Sequence, residues 1–167
     1  MLASVLILAH LIFGTGDSAR VPDAMLSITP FSRALYLDPV KYRKAHTAFV
    51  KATRGTDGNW TCAYSGHTLP HDSISVDHII PLKYAHTHGM SRHGVKSRTD
   101  FGSDTLNFAL VSVRLNSSKG DEGPQDFMPA MNACLYARRW FLVGKKYGIR
   151  FEPSDSTVLT RTLAGCK

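Results

Sequence analysis

The sequence predicts an α+β domain in which strand, loop, strand and helix form the centre and further α-helices flank it. Three observations carry this reading. Ile74 to Ile80 alternates Ile74, Val76 and His78 against Ser75, Asp77 and Ile79, the period of a strand, and Pro81 ends it. Asn107 to Val111 is a second short apolar run, and Ser112 caps a short helix through Leu115, Asn116 and Lys119 to Gly120. Apolar residues at helical spacing recur on both sides of this unit.

In chain order, Leu2 to Phe13 is almost wholly apolar, too short to span a bilayer but suited to a secretory signal, with small residues at Ser18 and Ala19 for cleavage. Residues 1–19 are therefore expected to be a signal peptide and 20–167 a single domain, secreted or periplasmic, with no membrane segment in the mature form. A buried N-terminal helix or a short anchor is the alternative. Asp38-Pro39 opens a helix in which Tyr42, Ala45, His46, Phe49 and Val50 recur until Gly55. Trp60 to Tyr64 is a strand candidate. Residues 83–104 show no period and are expected to be a long loop. A longer helix is expected from about Pro129 to Gly148, and a final one from about Asp155 to Leu163.

The chain has 167 residues, 43% of them hydrophobic, enough to bury a core. Its net charge is +7 and its pI about 9.5, which points to a polyanionic partner. Removing residues 1–19 takes away Asp17 and no Lys or Arg, so the basic character belongs to the folded part. The three cysteines, Cys62, Cys134 and Cys166, form no CxxC pair and exclude a four-cysteine zinc site.

The polar residues of the central unit are SVDHIIPL at 75–82, DTLN at 104–107 and NSSKGDEGP at 116–124. They resemble the ββα-metal core of the HNH (His-Asn-His) endonuclease superfamily, in the variant with Asn as third signature residue. The step from Asn107 to Asn116, followed by Lys119, Gly120 and Pro124, is similar to the HNH domain of CRISPR effector nucleases. The G-x-W-x-x-x-Y-S-G segment from Gly58 to Gly66, Phe101 with Asp104 and Asn107, then Pro129, Cys134 with Tyr136-Ala137, and Cys166 resemble secreted HNH nucleases related to GmrSD-type restriction domains.

This resemblance implies a two-stranded antiparallel hairpin plus helix, and a metal-dependent endonuclease leaving 5′-phosphate and 3′-hydroxyl ends. It implies that Asn107 fixes the backbone around His78. It also places cysteines at 134 and 166, where a disulfide would pin the last helix; a pair of buried thiols is the other reading. Cys62 is then left over.

The chemistry can be argued beside the resemblance. Phosphodiester hydrolysis needs an activated water, neutralisation of charge on the phosphate and help for the leaving oxygen. Asp77 and Asn116 offer oxygen ligands suited to a partly hydrated Mg²⁺, or another divalent ion such as Mn²⁺. His78, next on the strand, points to the other side and suits a general base. Lys119, three residues beyond Asn116, is a candidate phosphate contact. Arg92, Lys96 and Arg98 of the expected loop are candidate DNA contacts. His86, His88 and His93 there lack metal spacing, and Cys62, His67 and His71 form a three-ligand zinc pattern without a fourth ligand. Arg138, Arg139, Lys145 and Lys146 fit a solvated face, and Trp60 and Trp140 fit the core.

The expected function is hydrolysis of DNA with little sequence preference, because so short a chain carries no appended reading module, and no obligate protein partner is evident. RNA remains open as substrate. The alternatives are a non-catalytic secreted protein that binds nucleic acid or another polyanion, and an RNase-type toxin.

Overall fold

The computed structural model describes residues 29–166, so the expected signal sequence lies outside the described residues. Helix α1 spans Pro39–Ala52. It starts where expected because Asp38 accepts hydrogen bonds from the Val40 and Lys41 amides while Pro39 occupies the first turn, where no amide donor is needed.

Strand β1, Trp60–Thr61, pairs antiparallel with β2, Thr68–Leu69, in a hairpin the sequence reading did not anticipate. The expected strand to Tyr64 stops short because residues 62–66 form a turn closed by Gly66 N to Cys62 O. The main sheet pairs β3, Ile74–His78, with β4, Phe108–Ser112, antiparallel, Asp77 facing Ala109 and His78 facing Phe108. β3 ends two residues before the expected Ile80. The Ile79 amide still donates in register to the Asn107 carbonyl, but Asn107 lies in a 3₁₀ turn and meets Ile80 with its side-chain amide, so the ladder goes no further.

Residues 83–104 are not a long loop. They carry α2, Leu82–Thr87, a 3₁₀ turn at Met90–Arg92, and α3, Val95–Gly102. Buried Leu82, Tyr84, Ala85, Met90 and Phe101 anchor this stretch to the core. Few apolar side chains, separated by His, Gly and Ser, left no period to detect.

Helix α4, Val113–Lys119, follows β4 directly, with Ser112 Oγ accepting from the Leu115 amide at its start. β3, β4 and α4 together form the ββα core, and the other helices flank it. Helix α5, Ala133–Tyr147, begins four residues later than expected. Asn132 is left-handed at φ 59° and donates to Ala63 O, and Met131 N donates to Tyr64 O, so the preceding segment is tied to the β1–β2 turn instead of coiling. The inner face of α5 carries Tyr136, Ala137, Trp140, Val143 and Tyr147, and left-handed Gly148 ends it. Helix α6, Pro153–Ala164, packs on α5 and leads to a disulfide between Cys134 and Cys166. Cys62 is a buried free thiol. Among the described residues, no helix is long and apolar enough to cross a membrane.

Candidate active site on the ββα core

Adjacent residues on a strand face opposite ways, and the end of β3 uses both directions. Asp77, 4% exposed, points towards Tyr64 and α4: its Oδ2 accepts from Tyr64 Oη at 2.5 Å and its Oδ1 from Lys119 Nζ at 3.0 Å. His78, 6% exposed, packs against α1 and β4, stacked on Tyr42 at 6.0 Å and edge-on to Phe108 at 5.2 Å.

The orientation of His78 is set by α3. Its Nε2 lies 2.9 Å from the Gly102 carbonyl, which can only accept, so Nε2 carries the proton and Nδ1 keeps its lone pair. Burial holds the imidazole far below its ordinary range, at about 4, with the Gly102 bond opposing. The ring is thus a neutral base near pH 7. Gly102 itself cannot carry a side chain, because a Cβ there would lie 2.1 Å from the Tyr36 carbonyl oxygen.

Asn107 is fully buried and grips Ile80 with both ends of its amide: Oδ1 accepts from Ile80 N at 2.8 Å and Nδ2 donates to Ile80 O at 3.1 Å. Asp104 shapes the turn before it, accepting from Leu106 N and pairing with Lys146 and Tyr147. The backbone just beyond His78 is therefore locked from the turn that precedes β4.

Asn116 donates from Nδ2 to Ser75 Oγ at 2.7 Å, which fixes its amide plane, and its Oδ1 makes no hydrogen bond among the described residues. Asp77, His78 and Asn116 line one small, mainly polar cavity of about 60 Å³, together with Arg33, Pro81 and Asp121. The oxygens of Asp77 and Asn116 are of the hard type that a partly hydrated divalent ion takes in preference to a zinc-type ion, and of these Asn116 Oδ1 is uncommitted among the described residues while both Asp77 oxygens accept hydrogen bonds. Among the described residues no group of three His, Cys, Asp or Glu side chains could hold a metal, the Cys62, His67 and His71 pattern included.

Lys119 is not placed where a phosphate contact was expected. It is fully buried, and its ammonium bonds Asp77 and, at 2.9 Å, the His78 carbonyl. Burial pushes the Asp77 carboxyl up and the Lys119 ammonium down, and the attraction between the two opposes both shifts.

The residues of the expected loop are spread along α3 and its approach. Lys96 is exposed and pairs with Asp100, which also binds Lys41 of α1; Arg98 donates to the His93 carbonyl; Arg92 is exposed on the 3₁₀ turn. His86, His88 and His93 do not converge. They bond Tyr36 and Thr29, Glu152, and Ser97 respectively.

Sequence reasoning missed five contributors: Arg33 in the cavity wall, Tyr64 on Asp77, Gly102 on His78, Tyr42 stacked on His78, and His46, whose ring lies 5.6 Å from that of Tyr42. Only Tyr64 carried a signal, as the tyrosine of the Gly58–Gly66 segment. Tyr42 and His46 looked like ordinary core positions of α1.

A strand pair and helix that bring Asp, His and two Asn into this arrangement define an HNH-type domain. The chain belongs to the family described as GmrSD restriction endonucleases, C-terminal domain, whose model matches residues 32–160. It is also similar to an uncharacterized secreted protein of Arthroderma benhamiae (strain ATCC MYA-4681 / CBS 112371), 31% identical over 116 residues that cover 66% of this chain and 57% of that relative. The chain thus spans little more than half of that curated relative. No solved structure matches.

Proposed function

We propose that this protein is an exported, metal-dependent endonuclease that hydrolyses phosphodiester bonds of DNA with little sequence preference. The observation that carries the reading is the state of His78: a neutral ring held at Nε2 by Gly102 O, on a residue that lines the same polar cavity as Asp77 and Asn116. His78 takes the proton of the attacking water at Nδ1, while Gly102 O holds the opposite nitrogen and stabilises the imidazolium that forms. Asp77 and Asn116 would hold the divalent ion. When bound, Mg²⁺ supplies positive charge to the phosphate oxygens and to the leaving 3′ oxygen. Arg33 at the cavity rim adds a charge for the phosphate. Tyr64, kept protonated by burial and by the Asp77 charge, holds the carboxylate in place. The Cys134–Cys166 disulfide and the apolar run at residues 2–13 support export.

One observation favours a second reading. Lys119 already neutralises Asp77, which suits a protein that binds nucleic acid without cutting it.

The test is incubation of supercoiled plasmid, linear DNA and structured RNA with Mg²⁺, Mn²⁺ or chelator, using the wild type, His78→Ala and Asn116→Ala. Divalent-dependent nicking of DNA that both variants lose supports the proposal. Cutting that persists in chelator removes the metal, cutting of RNA alone removes the substrate, and salt-sensitive binding without any cutting leaves the second reading.

A further inference from the structure

A second, larger concavity lies beside the site. It is an open groove of about 980 Å³ between α1 and the β1–β2 hairpin, lined by His46, Lys51, Arg54, Trp60, His71 and Ile74 among others. None of its lining residues is acidic. The neighbouring acids Asp57 and Asp72 are engaged with Asn59 and Ser73.

Two elements, α1 and β3, run from the groove to the site. His46 follows Tyr42 by one turn of α1, their rings 5.6 Å apart, and Tyr42 stacks on His78. Ile74 begins the strand that ends at His78, and at about 3.3 Å per residue the two positions are about 13 Å apart. That is roughly four nucleotide steps of a B-form strand.

The walls also indicate what kind of contact the groove makes. Trp60 is only 7% exposed, with the Arg54 guanidinium 5.0 Å above its ring and His71 5.4 Å away, so no open aromatic face is offered to a base. Arg54 is held by that ring and by an Nε bond to Gly58 O at 2.6 Å, and its terminal nitrogens make no hydrogen bond among the described residues. Lys51 is exposed on the same wall. A cation fixed by a ring and a carbonyl loses little side-chain freedom on meeting an anion.

We infer that this groove holds the phosphate backbone of the nucleic acid strand flanking the cleaved bond, with Arg54 and Lys51 as its phosphate contacts and no base read there. The inference rests on the nuclease reading for its substrate class, and it accounts for weak sequence preference by giving the strand contacts that carry no sequence information.

The test is fluorescence anisotropy of a labelled DNA duplex in chelator, across a salt series. It compares the protein with Lys51→Gln, Lys51→Gln/Arg54→Gln, and a control pair, Arg138→Gln/Lys145→Gln, on the exposed side of α5. Thermal melting checks that all remain folded. The double groove variant is expected to bind about tenfold more weakly and to lower the slope of log affinity against log salt by about 2, the single by about 1. The control should change less. Groove variants that match the wild type, or change no more than the control, overturn the inference, as does a wild type that binds no DNA. Cleavage by the wild type with unaltered binding by the groove variants sinks the groove and leaves the nuclease. Groove-dependent binding without cleavage does the reverse.

Discussion

Lys119 and Asp77 form an ion pair 3.0 Å long that is sealed from solvent, the lysine at 0% side-chain exposure and the aspartate at 5%. Such a pair costs desolvation on both sides, and removing one member strands the other. Lys119→Met is therefore expected to destabilise the fold by about 3–5 kcal/mol. Lys119→Met/Asp77→Asn should recover a large part of that, because no charge is then left buried. Urea unfolding of the three proteins measures it, and a double variant as unstable as the single would refute the pairing.

The pH dependence follows from His78. Its imidazole is near 6.5 when unfolded and held at about 4 by burial in the fold, so the unfolded chain binds the extra proton first as pH falls. The stability from keeping the ring neutral is complete above about 6.5 and lost progressively down to about 4, about 3 kcal/mol in all. His46, also lowered by burial, acts in the same direction. Urea titrations between pH 7.5 and 4 should show this loss, with a shallower slope in His78→Phe. An equal slope in that variant would assign the effect elsewhere.

Asn107→Ala leaves the buried Ile80 amide without its acceptor, for an expected loss of about 1–3 kcal/mol. Because the same amide locks the chain just beyond His78, cleavage should fall even at temperatures where the variant is fully folded. Circular dichroism and plasmid nicking on one sample separate the two effects. Full activity in a folded variant would show that the anchor is structural alone.

The Cys134–Cys166 bridge closes a separation of 32 residues, which in the chain-entropy description contributes roughly 3–4 kcal/mol. Cys134→Ser/Cys166→Ser should lower the urea midpoint accordingly, and α6 should exchange amide hydrogens faster than β3. Uniform protection across α6 in that variant would count against the pinning role.

The ββα core was legible because each of its parts leaves a local mark: alternation in Ile74–His78, the Ser112 cap, and the fixed order of Asp77, His78, Asn107 and Asn116. What the sequence hid is set by distant partners. Lys119 looked like a phosphate contact on the helical face of Asn116, and only the packing of α4 against β3 shows that its stem runs inward to Asp77. The helices of 82–102 stayed hidden because a few deep anchors, such as Tyr84 and Phe101, replace a periodic face. Tyr42 and His46 carried a helical period but no sign that the face they build adjoins a histidine of β3.

The Gly102 carbonyl has one more consequence. It chooses the tautomer of His78, and only glycine can occupy position 102 because the Tyr36 carbonyl oxygen passes within a hydrogen's breadth of where a side chain would begin. A chain could keep Asp77, His78, Asn107 and Asn116 letter for letter and still be inert if a bulkier residue at 102 pushed that carbonyl aside. Sorting active from inactive relatives by the signature alone would then misfile them; the smallest residue of α3 is the one to inspect.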